Sequence, residues 1–162
     1  APSGPGGSPP VGRGAALIAV APAGEAGPPE YCTDALSLLK VRRVDHGVAA
    51  IHDPALQRRL ADDRIPLTMC PLSNLELQVT PDLAKHPLKK LLDAGLLVTV
   101  NSDDPAYFDG HLLDNYVAVQ QALRLSHADL APLARNSITA SLLAPARKAA
   151  LIAESDPSAA GG

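Results

Sequence analysis

Short apolar runs and polar breaks alternate along most of the chain with the rhythm of strand and helix. AALIAVA (15–21) is apolar without period-two alternation, the pattern of a strand buried on both faces. A Gly/Pro turn over 24–29 leads into a helical stretch, 30–39, with Ala35, Leu36, Leu38 and Leu39 on its apolar side. VRRVDHGV (41–48) predicts a second strand. Asp53-Pro54 then supplies an N-cap followed by proline at the first helical position, and the helix it opens runs to about Asp63. IPLTMCPL (65–72) predicts a third strand, and 81–94 a helix closed by Gly95 as its C′ glycine. LLVTVNS (96–102) predicts the fourth strand, and helices fill most of 112–154.

The strand starts lie roughly 23 to 31 residues apart, the repeat of a βα unit. Four such units with right-handed crossovers imply an α/β fold on a parallel sheet. A complete (β/α)8 barrel takes about 250 residues, so this chain holds about half of one; a small open parallel sheet has the same periodicity. The Pro/Gly/Ser-rich segment 1–14 (APSGPGGSPPVGRG) reads as a flexible leader, 15–156 as the domain and 157–162 as a disordered tail.

Composition narrows the picture. Hydrophobic content of 46% with 19% charged residues is globular. With three Tyr, one Phe and no Trp, the core must be aliphatic. A net charge of −3 gives no electrostatic reason to expect nucleic acid or an anionic membrane as partner, and the run 15–21 is too short to span a bilayer. Cys32 and Cys70 stand far apart, with no CxxC and no secretory signal, so a reducing, cytoplasmic setting with both thiols buried is expected.

Polar residues gather where each predicted strand hands over to its loop: Glu25, His46, Ser73 with Asn74, and Asp103 with Asp104. Active sites of parallel α/β folds are built on that edge. The segments AGEAGPPE (23–30), VDHGV (44–48), CPLSN (70–74) and NSDDPAYF (101–108) resemble, in order and spacing, the second half of the adenosine/adenine deaminase family. HPLKKLLDAG (86–95), PPEY (28–31) and LARNS (133–137) are most similar to its adenine deaminase branch.

The resemblance implies the C-terminal half of a (β/α)8 barrel and a zinc-dependent hydrolysis that removes the 6-amino group of a purine, adenine rather than adenosine, in purine salvage. It gives Glu25 the role of proton shuttle between water and purine N1 and His46 that of orienting and stabilising the attacking hydroxide. Asp103 matches the zinc ligand and Asp104 the residue that holds a substrate ring nitrogen. Ser73 and Asn74 support the strand end, while His52, His86, His111 and His127 match no site position and are expected at the surface.

One departure stands out. The residue that is a zinc-ligating histidine in the family is Pro22 here, and the family's HxH pair would lie upstream of this chain. Of the four protein ligands the resemblance implies, Asp103 alone is present, so the chain by itself is expected to bind zinc poorly and to be inactive. The alternative is a non-catalytic remnant that pairs with another subunit, since the exposed edges of half a barrel favour self-association. A phosphate-binding α/β module is disfavoured, because no GxGxxG or GxxxxGK[ST] loop occurs.

Overall fold

A computed structural model describes residues 18–155; the leader, the first three residues of the run 15–21, and the tail fall outside them. Four short strands form one parallel sheet in the order β1-β2-β3-β4: β1 (Ala21–Ala23), β2 (Val44–His46), β3 (Leu67–Met69) and β4 (Val98–Val100). Helices α1 (Pro29–Ser37), α2 (Pro54–Asp62) and α4 (Leu88–Asp93) form the crossovers, and α3 (Pro71–Glu76) follows β3 directly. After β4 come α5 (Pro105–Phe108), α6 (Leu112–Leu123), α7 (His127–Ala140) and α8 (Pro145–Glu154). The fold is thus α/β, with half the βα units of a (β/α)8 barrel.

The register explains why the strands read as continuous apolar runs. Val44, Leu67 and Val98 stand abreast and are fully buried, in a core that also contains Leu60, Leu88, Leu91 and Leu133. The neighbouring row, Pro22–Asp45–Thr68–Thr99, lies on the opposite face. It is the polar row. Thr68 Oγ1 donates to Asp45 Oδ1 at 3.0 Å, and Arg43 Nε donates to the same oxygen at 2.8 Å. On the helical side, Asn136 of the LARNS segment donates from Nδ2 to Val98 O at 2.9 Å and ties α7 to β4.

Several sequence expectations shift. The first strand begins at Ala21, and Ile18 and Val20 are exposed, because β1 is the sheet edge rather than a doubly covered strand. Ala21 N–H bonds Arg43 O, so the nitrogen of Pro22 faces the open side, where a missing donor costs no ladder bond. The single helix expected over 81–94 divides into a 3-10 turn, Leu83–Lys85, and α4. Pro87 forces His86 out of the helical region, with ψ at 132°, and so splits it. The third strand ends three residues early, where Pro71 starts α3.

The Asp53 N-cap is as expected. Its Oδ1 accepts from Ala55 N–H at 2.8 Å and Leu56 N–H at 3.0 Å. Asp53→Ala should lower stability by about 1 kcal/mol, read from the urea unfolding midpoint. An unmoved midpoint would mean that Pro54 alone defines the helix start.

Candidate functional site

Every βα turn bends sharply at the carboxyl edge of the sheet, and the site is made by those bends. Gly24 (φ 71°) ends β1; a Cβ there would come within 2.6 Å of Cys32 Sγ, so the glycine lets the chain turn and present Glu25. Gly47 (φ 68°) does the same after β2, against Leu67. His46 and Asp103 are themselves left-handed, with φ of 67° and 61°, a conformation costly for residues with a Cβ and concentrated at functional sites. It has a consequence for His46: consecutive residues Asp45 and His46 both line one recess, which regular strand alternation would forbid.

That recess has a volume of about 310 Å³ and is walled by Asp45, His46, Thr68, Cys70, Asn101 and Asp103, among others. The donor atoms of His46, Cys70 and Asp103 all lie within 4.8 Å of one another. Glu25 Oε1 lies 3.0 Å from His46 Nδ1. The approach is off the ring's donor direction, so Nδ1 is buried without a hydrogen-bond partner despite the short distance. Ser73 Oγ donates to Asp103 Oδ2 at 2.7 Å, fixing one carboxylate oxygen.

Glu25, His46 and Asp103 are therefore brought together, with Ser73 beneath Asp103 and Asn74 bonded to Glu25 Oε1 at 2.9 Å. Asp104 is placed differently. Its Oδ1 caps α5, accepting from Ala106 N–H at 3.1 Å and Tyr107 N–H at 3.3 Å, and the residue is exposed. His52, His111 and His127 are exposed as expected, but His86 is not: it is 2% exposed, because the turn before Pro87 folds it beneath α3. Burial pulls its imidazole down to about 4. Cys70 joins the site without having been singled out for it, and Asn74 does more than support a strand end. The CPLSN segment and the His86-Pro87 pair are both visible in the sequence, but their meeting is not.

Both cysteines are buried and free. Burial, reinforced by the carboxylates of Asp103, Glu25 and Asp45, pushes the Cys70 thiol up to about 12, against a hydrogen bond from the Asp103 backbone. His46 and Asp103 fit a divalent cation: one offers a buried imidazole whose Nδ1 makes no hydrogen bond, the other a carboxylate, at the ends of β2 and β4 with β3 between them. Cys70 adds a third donor only if a cation displaces its proton. Pro22 contributes no donor.

The adenosine deaminase family model matches residues 12–157. An adenine deaminase from Paraburkholderia xenovorans is 57% identical over 144 residues, which cover 89% of this chain and 41% of that protein. The crystal structure of adenine deaminase from Arthrobacter aurescens superposes with a TM-score of 0.83 at 47% identity, covering 86% of this chain and 42% of that one. An amidohydrolase from Burkhoderia ambifaria, with bound Zn, gives a TM-score of 0.81 at 29% identity, covering 89% of this chain and 41% of that one. The chain spans about two-fifths of the length of the relatives it matches. Among the described residues no helix is long and apolar enough to cross a membrane. With four βα units and a family match that extends over nearly all of its length, this chain belongs to the adenosine deaminase family.

Proposed function

We propose that this site serves the hydrolytic deamination of a 6-aminopurine, with adenine as the substrate, and that Glu25, His46, Asp103 and Asp104 act as the resemblance implies. The observation that supports it most is the convergence of Glu25, His46 and Asp103 at one sheet edge, from three separate strand ends. The naming of the relatives as adenine deaminases favours adenine over adenosine.

The residues divide the chemistry between them. Asp103, its rotamer held by Ser73, would hold zinc, with His46 beside it. Zinc, when bound, supplies Lewis-acid activation of water near neutral pH. His46 orients the attacking oxygen toward purine C6. Glu25 takes the proton that the water loses and delivers it to N1; the hydroxyl proton of the resulting adduct then passes to the 6-amino group, ammonia leaves as the C6–N bond breaks, and the water oxygen remains as the carbonyl of hypoxanthine. Asp104 accepts from a ring N–H of the base through Oδ2, since both capping bonds of α5 go to Oδ1. The partner is thus a small purine, with neither nucleic acid nor membrane required; the open edge of β1, beside exposed Tyr31, Leu38 and Leu39, favours self-association.

Pro22 supports a second reading, a chain that retains the purine site without turning over. The two are separated by measuring zinc content and adenine hydrolysis for this chain alone, and for the chain joined to the upstream portion of the Paraburkholderia relative, each with Pro22 or with Pro22→His. The expectation is no turnover from the chain alone, severe impairment with Pro22 retained, and recovered activity when the upstream portion and Pro22→His are combined. Persistent inactivity of the last favours the remnant. Clear preference for adenosine over adenine would overturn the substrate.

A further inference from the structure

Asn74 and His86 are among the few polar side chains in the core, at 0% and 2% exposure, and both belong to one line of hydrogen bonds that ends on Glu25. Leu88 N–H donates to His86 Nδ1 at 3.2 Å. With Nδ1 occupied as an acceptor, the proton of a neutral imidazole sits on Nε2. That nitrogen lies 3.2 Å from Asn74 Oδ1, and the other end of the amide, Nδ2, donates to Glu25 Oε1 at 2.9 Å.

The line has a single direction. A backbone N–H that cannot change its role sets the tautomer of His86, the tautomer sets which end of Asn74 is oxygen, and the amide then offers a donor to the carboxylate. Flipping Asn74 would set its NH2 against Nε2–H and its oxygen against Glu25 Oε1, two mismatches in a dry interior. The backbone behind the line is held as well. Asn74 N–H bonds Cys70 O, Thr80 N–H bonds Asn74 O, and Pro87 fixes the chain after His86. Burial keeps the imidazole neutral across the neutral range, which preserves the tautomer.

We propose that His86 is a positioning residue for the Glu25 carboxylate, acting through Asn74: it locks the amide so that Glu25 Oε1 is held by a donor while the other oxygen is left to exchange protons. The inference rests on the deaminase reading for the task of Glu25. It adds a residue, 61 positions away in the chain, to the machinery that aims it.

Two substitutions separate this role from mere packing. His86→Asn keeps an acceptor at the Nδ1 position for Leu88 N–H but stops short of Asn74. His86→Gln places an amide N–H where Nε2–H was. In the chain joined to the upstream portion of the Paraburkholderia relative and carrying Pro22→His, His86→Asn is expected to lower kcat for adenine about 5- to 30-fold, the effect of one unsatisfied buried polar group, with little change in KM, and His86→Gln to restore most of it. In this chain itself, nitrogen NMR of the imidazole should find the Nε2–H tautomer at pH 7. The Asn74 side-chain amide protons should exchange slowly in the parent and in His86→Gln and quickly in His86→Asn. An Nδ1–H tautomer, Asn74 exchange indifferent to His86→Asn, or equal kcat in both variants and the parent would each overturn the proposal. A joined chain with Pro22→His that leaves adenine untouched sinks the deaminase reading instead, and the NMR results then decide the hydrogen-bond line on their own.

Discussion

Glu25→Gln in the chain joined to the upstream portion of the Paraburkholderia relative, with Pro22→His, is expected to lower kcat for adenine by about 100- to 10,000-fold, the usual contribution of a positioned general acid–base group. The substitution is close to isosteric. A glutamine can keep its oxygen toward Asn74 Nδ2, where Glu25 Oε1 now accepts at 2.9 Å, so the turn after Gly24 and the hydrogen-bond line behind it survive. What it loses is the ability to take a proton from water and release it to the purine ring. KM and the thermal midpoint should therefore move little while kcat collapses. A loss below tenfold would show that another group moves the proton, and a collapse of stability would show that the carboxylate was structural. The contact with His46 is the reason to measure both: at 3.0 Å, it couples the two side chains whichever role Glu25 has.

Acid should destabilise this chain through His86. The imidazole is held down from 6.5 to about 4 by burial. Above 6.5 neither the folded nor the unfolded chain protonates it. Between 6.5 and 4 the unfolded chain binds a proton that the folded chain refuses, so the unfolded state gains and stability falls as the pH drops. The full difference corresponds to about 3 kcal/mol by pH 4. Carboxylates titrate over part of the same window, so the measurement is a comparison: urea unfolding free energies of the parent and His86→Gln at pH 7 and pH 4.5. The parent should lose more, and the gap between the two curves should open below 6.5. Parallel curves would mean that the imidazole is solvated in the folded chain.

Much of the site was legible residue by residue, because its determinants are local. Gly24, Gly47 and the Asp-Pro pairs at 53–54 and 104–105 impose their turns and caps wherever they occur, and they mark the ends of the strands from which Glu25, His46 and Asp103 project. Family resemblance added the roles proposed for those residues. It said nothing of His86, whose sequence neighbours, lysines and prolines among them, suit a surface turn. Asn74 was legible as a strand-end residue but not as the bridge between His86 and Glu25, since its partners lie 12 positions one way and 49 the other.

By itself, the sequence determined the number and order of the βα units, the helix starts at capped prolines, and which polar residues meet at the carboxyl edge, since each follows from short-range sterics, hydrogen bonding and the period of apolar positions. Tertiary structure alone decided that β1 is an edge with Ile18 and Val20 exposed, and that Cys70 joins His46 and Asp103 around one recess. It also decided that His86 is buried. These depend on which surfaces are covered by residues distant in the chain, and burial is a property of that packing rather than of any local run of residues.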